Sequence, residues 1–219
     1  LALIIHAEHG GGNNSTFAVR VITSTDTDTY SAIAAGVGSL KGNKHGGANI
    51  KVMGMMENIK ASVKDWSDEE EVATYLARLL KGEAYDRTGL IYGQGHAVYT
   101  LSDPRATLLR SKAEELAAEK GFEKEFQLYR TIEHLVPTVF QQVKGSTKPI
   151  CTNVDFYSGF VYQMLGIPEE LFTPLFAISR VAGWCAHRME EIVAGGRIIR
   201  PANKCVQPRL AYVPLAERG

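Results

Sequence analysis

Histidines on glycine-rich turns, a few bracketed arginines and one sheltered aspartate carry most of the chemistry open to this chain. His6-Ala7-Glu8-His9 places two imidazoles three residues apart, which on a helix is one face. A zinc site would need more ligands, and no third one lies nearby, so His6 is expected to be a packed, hydrogen-bonded helix residue. His9 directly precedes Gly10-Gly11-Gly12, where a helix end meets a loop and an imidazole can face a ligand. His45 stands in Lys44-His45-Gly46-Gly47-Ala48-Asn49. Those glycines allow close approach of a ligand, and Asn49 could cap the next helix, although an exposed loop histidine fits equally well.

His96 follows Gly93-Gln94-Gly95, and nine residues later Arg105 enters the first turn of a helix opened by Asp103-Pro104. A helix N-terminus offers free N–H groups and a positive dipole; a guanidinium added there makes a carboxylate or phosphate site. Taken singly, such an arginine is more often a surface ion-pair partner. Asp155, in Asn153-Val154-Asp155-Phe156-Tyr157-Ser158-Gly159, is either an N-cap or a buried acid whose pKa rises towards that of a general base. Arg180 lies mid-helix among Ile178, Val181 and Ala182, and Arg200 is bracketed by Ile198, Ile199 and Pro201. A buried arginine requires an anion from protein or ligand. Three arginines suit a small substrate with more than one carboxylate. Hydrogen-bonding histidines beside a carboxylate base suit proton removal next to a carbonyl.

Helices must position these groups. Ser67 and Glu70 have capping-box spacing, with Val72, Leu76, Leu79 and Leu80 as the apolar stripe and Gly82 as the stop. A second helix runs from Asp103-Pro104 to Lys120, and Phe122, Phe126, Tyr129 and Ile132 continue into a third. Val154 to Leu165 reads as another, ended by Gly166. Pro168 then opens a long helix, interrupted at Pro174, with Leu175, Ile178, Ala182, Cys185, Met189 and Ile192 on its apolar side. Residues 28–40 and 48–62 also read as helical. Only Val19–Thr23 and Leu90–Tyr92 suggest extended chain. The fold class is mostly α.

Composition narrows the classes further. The 219 residues hold 24 Lys plus Arg against 24 Asp plus Glu, so the formal charge is 24 − 24 = 0. That balance argues against a nucleic-acid binder that relies on gross positive charge. The mixture of 45% hydrophobic and 22% charged residues is that of a globular chain with a real core. No apolar run approaches the roughly 20 residues a membrane span needs. Cys151, Cys185 and Cys205 form neither a disulfide framework nor a zinc ribbon, and a cytoplasmic location is the default expectation. Leu1-Ala2-Leu3-Ile4-Ile5 resembles the middle of a helix rather than a signal peptide, which suggests a piece of a longer protein.

In their order along the chain, His6-Ala7-Glu8-His9, Lys44 to Asn49, Gly95-His96-Ala97-Val98 with Asp103-Pro104-Arg105, Asn153 to Gly159, and Arg180 with Gly183-Trp184-Cys185-Ala186-His187 resemble the citrate synthase family. The resemblance covers essentially the whole chain but only about the C-terminal half of the family's length. Gln94 departs from it, standing where the family usually has an aromatic or small residue. The resemblance implies a multi-helical fold with parts of a large domain (1–47 and 161–219) and a small domain (48–160). It implies condensation of acetyl-CoA with oxaloacetate and hydrolysis of citryl-CoA, with no cofactor and no metal. Asp155 would be the base, His45 the donor to the thioester oxygen and His96 the group that polarises the ketone. His9, Arg105, Arg180 and Arg200 would hold oxaloacetate, with Arg200 coming from the partner subunit of a homodimer. Residues 91–95 would line the adenine end of CoA. Alternatives are a 2-methylcitrate synthase using propionyl-CoA, a piece inactive without the family's N-terminal part and, furthest from the motifs, a metal hydrolase.

Overall fold

The computed structural model describes residues 1–96 and 98–218. Ala97, within the motif after Gly95, and Gly219, the last residue of the expected large-domain segment, lie outside the described residues. Among the described residues nine α-helices follow in order: α1 (Ala2–His6), α2 (Asn14–Thr23), α3 (Thr29–Leu40), α4 (Ala48–Ser62), α5 (Glu69–Leu80), α6 (Pro104–Lys120), α7 (Glu123–Lys144), α8 (Val154–Met164) and α9 (Phe172–Ala194). Two short 3-10 turns, Glu169–Leu171 and Leu215–Glu217, complete the described elements. Among the described residues the β pairing amounts to one isolated antiparallel bridge between Gln94 and Thr152. The mostly α expectation holds.

Local signals explain most of the helix ends. The Asp103 side chain accepts the Arg105 N–H, Pro104 sits at the start of α6, and Gly121 closes it with φ of +77°. α5 begins one residue later than its capping-box spacing suggests. Asp68 caps it, while the Ser67 hydroxyl donates to Asp65 at 2.6 Å instead. Asn49 does not cap α4; Gly47 holds the N-cap position and Asn49 is buried. The β-branched run at Val19–Thr23 is helical, not extended. Val19 and Thr23 are buried as α2 packs on α3 and α9, and that burial outweighs a weak local preference.

α9 corrects two expectations. Pro174 falls in its first turn, where no intrahelical donor is needed, so the helix runs through without interruption. Its buried face carries Phe172, Phe176, Ser179, Arg180, Gly183 and Trp184. The apolar side read from sequence is largely exposed, with Ile178, Met189 and Ile192 each more than half open to solvent. Arg180 therefore points inward.

Two cores position the site. The larger is built from α4, α5, α6, α7 and α8, with Phe156, Tyr157 and Phe160 of α8 at its centre. The smaller gathers Val19, Ala32, Leu40, Phe176 and Trp184 from α2, α3 and α9. Among the described residues, no helix is long and apolar enough to cross a membrane.

Candidate active site

One group of polar residues forms around the loop before α6. His9 and His96 face each other, with their Nε2 atoms 3.1 Å apart. The Nδ1 of His96 accepts the N–H groups of Val98 and Tyr99 at 3.0 and 3.1 Å. That leaves the His96 proton on Nε2, pointing at the space the two rings share. Tyr99 stacks on His9 with ring centres 5.6 Å apart and lies 4.8 Å from the ring of His96. The Arg105 guanidinium sits over the other part of this aromatic group, 5.6 Å from the Tyr99 ring.

Asp103 fixes Arg105. Its two oxygens take Nε and an Nη of the guanidinium at 3.0 and 2.8 Å, a two-pronged pairing that sets the plane of the fork. The same carboxylate accepts the Val154 N–H at 3.1 Å, so α6 and the start of α8 share one buried anion. Burial alone would raise the Asp103 pKa, but the bonds and charge of Arg105 hold it below the usual carboxylate range.

Asp155 follows one residue after that anchor. It is not the N-cap of α8; Asn153 is, accepting the Asp155 N–H at 3.0 Å. The Asp155 carboxyl makes no hydrogen bond to a described residue, and partial exposure leaves it reachable. Burial pushes its pKa up to about 6, against the pull of Arg105 and with a further push from Asp103. A carboxyl so placed is a far stronger base than a solvated one.

A second group surrounds α9. Arg180 is fully buried; its Nε donates to the His6 carbonyl at 2.6 Å and one Nη to Asn13 Oδ1 at 3.1 Å. Its other Nη has no partner among the described residues. Burial lowers its pKa to about 10, and repulsion from Arg105 adds to that. The guanidinium carbon lies 4.8 Å from the Phe176 ring, which also meets the edge of His45 at 6.2 Å. His45 Nε2 is 3.0 Å from Ser15 Oγ. That hydroxyl also takes the Trp184 indole N–H at 3.2 Å and can donate to Asn13 Oδ1 at 2.9 Å. When Ser15 gives its single proton to His45 Nε2, the ring carries its own proton on Nδ1, free for a ligand.

The two groups meet through charge. Arg105 and Arg180 both act on Asp155, on His9 and on His6, while no hydrogen bond joins Asp155 to His45 or His96. Desolvation disfavours the charged form of three of these imidazoles: His9 falls to about 4, with Arg105 adding to the effect, and His45 and His96 are lowered too. His6 is buried against Phe176, as its packed reading requires, but its Nδ1 lacks the expected hydrogen bond. Arg200 stands apart on the irregular segment after α9, exposed and without an ion pair to a described residue. Among the described residues, no cluster of three or more His, Cys, Asp or Glu could hold a metal ion.

Backbone contacts lock the loop of His96 to the start of α8. Asn153 N–H donates to the Gly93 carbonyl at 2.9 Å, Gly95 N–H to that of Cys151 at 2.7 Å, and Asn153 Nδ2 to that of Gly95 at 2.9 Å. Gly93 has φ of +79°, and a Cβ there would lie 2.8 Å from Phe156. Only glycine serves. Sequence reasoning missed Asn13, Ser15, Tyr99 and Phe176, and gave Asp103 only a capping role. The Asn13–Ser15 pair was hidden by reading the following residues as extended chain, although Asn13 occupies the N-cap position of α2.

The fold and site define a class: a helical protein that sets a desolvated carboxyl and desolvated imidazoles among buried guanidinium groups. The model of the citrate synthase C-terminal domain matches residues 1–202, and the chain belongs to the citrate synthase family. It is 42% identical to the citrate synthase of Synechocystis over all of its own length and 50% of that relative. A 2-methylcitrate synthase of Shewanella oneidensis is 38% identical, again over the whole chain and 52% of the relative. The solved ternary complex of Thermoplasma acidophilum citrate synthase with carboxymethyl coenzyme A and oxaloacetate superposes with a TM-score of 0.77 at 35% identity. It covers 99% of this chain and 54% of that one. The chain thus spans about half the length of the relatives it matches.

Proposed function

We propose that this chain carries the catalytic residues of a citrate synthase, condensing acetyl-CoA with oxaloacetate and water to give citrate and CoA. One observation carries the reading: the unpartnered, desolvated Asp155 carboxyl lies under the influence of both Arg105 and Arg180. Asp155 takes a proton from the acetyl methyl group, and His45 Nδ1–H stabilises the enol oxygen as charge develops there. A carboxylate cannot deprotonate a thioester without such help, and one preorganised donor is worth about 3–4 kcal/mol. The enol carbon then attacks the oxaloacetate ketone, whose oxygen is polarised by a hydrogen bond from His96 Nε2–H and ends with the proton released from the methyl group. A carbon–carbon bond forms, and water cleaves the resulting citryl-CoA thioester to release CoA.

Arg105, Arg180 and His9 bind the carboxylates and oxygens of oxaloacetate in this scheme, with Arg200 supplied by the partner subunit of a homodimer. The open Nη of Arg180 supports that assignment. Residues 48–160 close as a small domain over 1–47 and 161–219, excluding water until condensation is complete. Residues 91–95 line the adenine end of CoA. No cofactor, nucleic acid or membrane takes part, and the protein works in the cytoplasm.

CoA thiol release tests the reading. The full-length protein is expected to release CoA only when oxaloacetate and acetyl-CoA are both present. Release that does not depend on oxaloacetate sinks the proposal. Faster turnover with propionyl-CoA assigns the protein to the 2-methylcitrate synthases, which share these residues' chemistry.

A further inference from the structure

One polar cluster takes no part in the scheme above, yet it touches the backbone of His9. A single oxygen of Glu8 accepts the N–H groups of His9, at 2.8 Å, and of Gly10. The same oxygen is 3.0 Å from His187 Nε2, which projects from α9. On the other side of that ring, Nδ1 is 3.0 Å from an Nη of Arg20, in α2. Arginine can only donate, so Nδ1 is the acceptor and the His187 proton resides on Nε2, directed at Glu8. Arg20 is held in turn by ion pairs to Glu190 and, at 2.9 Å, Glu191. The Gly183 N–H donates to the Ala7 carbonyl at 3.1 Å, so α9 grips this turn at two points.

We propose that Glu8 is a positioning residue that fixes His9 opposite His96, with His187 as its brace and Arg20 setting the His187 tautomer. The claim rests on the reading of His9 as an oxaloacetate ligand. The Glu8 side chain is 46% exposed, so a carboxylate with nothing to hold would swing into water; here three donors converge on one oxygen. Those donors keep its pKa below the usual carboxylate range even though burial pushes the other way.

The test compares Glu8→Ala, His187→Leu and His187→Gln in the full-length protein. A glutamine amide places an N–H near the position of Nε2, so His187→Gln retains the brace. Expected are a fall of about tenfold or more in kcat/KM for oxaloacetate in Glu8→Ala and His187→Leu, with KM for acetyl-CoA unchanged, and recovery to within about threefold in His187→Gln. The ring 15N resonances of His9 should move in the first two variants and return in the third. Loss of melting temperature with unmoved His9 resonances would make the cluster merely structural and overturn the proposal. A wild type that turns over neither substrate removes the functional reading, while the resonances still decide whether Glu8 and His187 place the His9 ring.

Discussion

Asp155 owes its raised pKa first to burial, and both activity and stability should register it. In its proposed role as base it must be ionised, so kcat/KM is expected to rise about tenfold per pH unit below pH 6 and level off above. The stability effect has the opposite sense. A carboxyl with a folded pKa of about 6, above its unfolded value, favours the native state only while protonated, and that contribution disappears as the pH rises from about 4 to 6. Asp155→Asn should therefore lower turnover by a factor of at least about 100 and raise stability at pH 7 by up to about 3 kcal/mol. Urea unfolding at pH 4 and pH 7 checks the second half; an equal change at both values would refute it. His9, His45 and His96 run the other way, since their lowered pKa values make acid destabilising as pH falls from about 6.5 through the value of about 4 for His9. Arg180→Leu should weaken binding of oxaloacetate about 100-fold or more, because one Nη has no hydrogen-bond partner among the described residues. Calorimetric titration with oxaloacetate measures it.

Elements carry these residues through a few close approaches. Gly93→Ala must force a side chain into left-handed backbone against Phe156 and should cost at least about 2 kcal/mol, displacing His96 as well. Gly183→Ala would set a Cβ 2.3 Å from the Ala7 carbonyl and push the His9 turn away from α9. Thermal melts together with KM for oxaloacetate separate lost stability from lost alignment in both variants. The helices with clean punctuation could be read in advance: Asp103-Pro104 and Gly121 mark α6 at both ends because capping is local chemistry. Arg105, His96 and Asp155 were legible for the same reason, lying on turns and helix starts. The inward face of α9 was not, because Ile178, Met189 and Ile192 are as apolar as any core residue and only tertiary packing places Arg180 inside and them outside. α2 was missed because β-branched residues favour strands only weakly. Asn13 and Ser15 went with it, since their value lies in contacts with residues more than 160 positions away.

At the scale of the whole molecule, exposed apolar side chains along α9, with Val193 86% open, make a surface that water tolerates poorly. The 219 residues alone are expected to self-associate with concentration and to release CoA weakly or not at all, whereas the full-length protein should remain dispersed and active. Sedimentation velocity across a dilution series checks the first, and robust turnover by the isolated chain would count against the second. A chelator should leave turnover unchanged, which separates this chemistry from a metal hydrolase. The chain also carries only two tryptophans. Trp66 is half-buried near Lys60, whereas Trp184 is sealed inside and shares the Ser15 hydroxyl with His45. Blue-shifted emission from the inner indole thus provides an intrinsic optical signal of the imidazole two hydrogen bonds away, and ligand entry can be followed by light without attaching a dye.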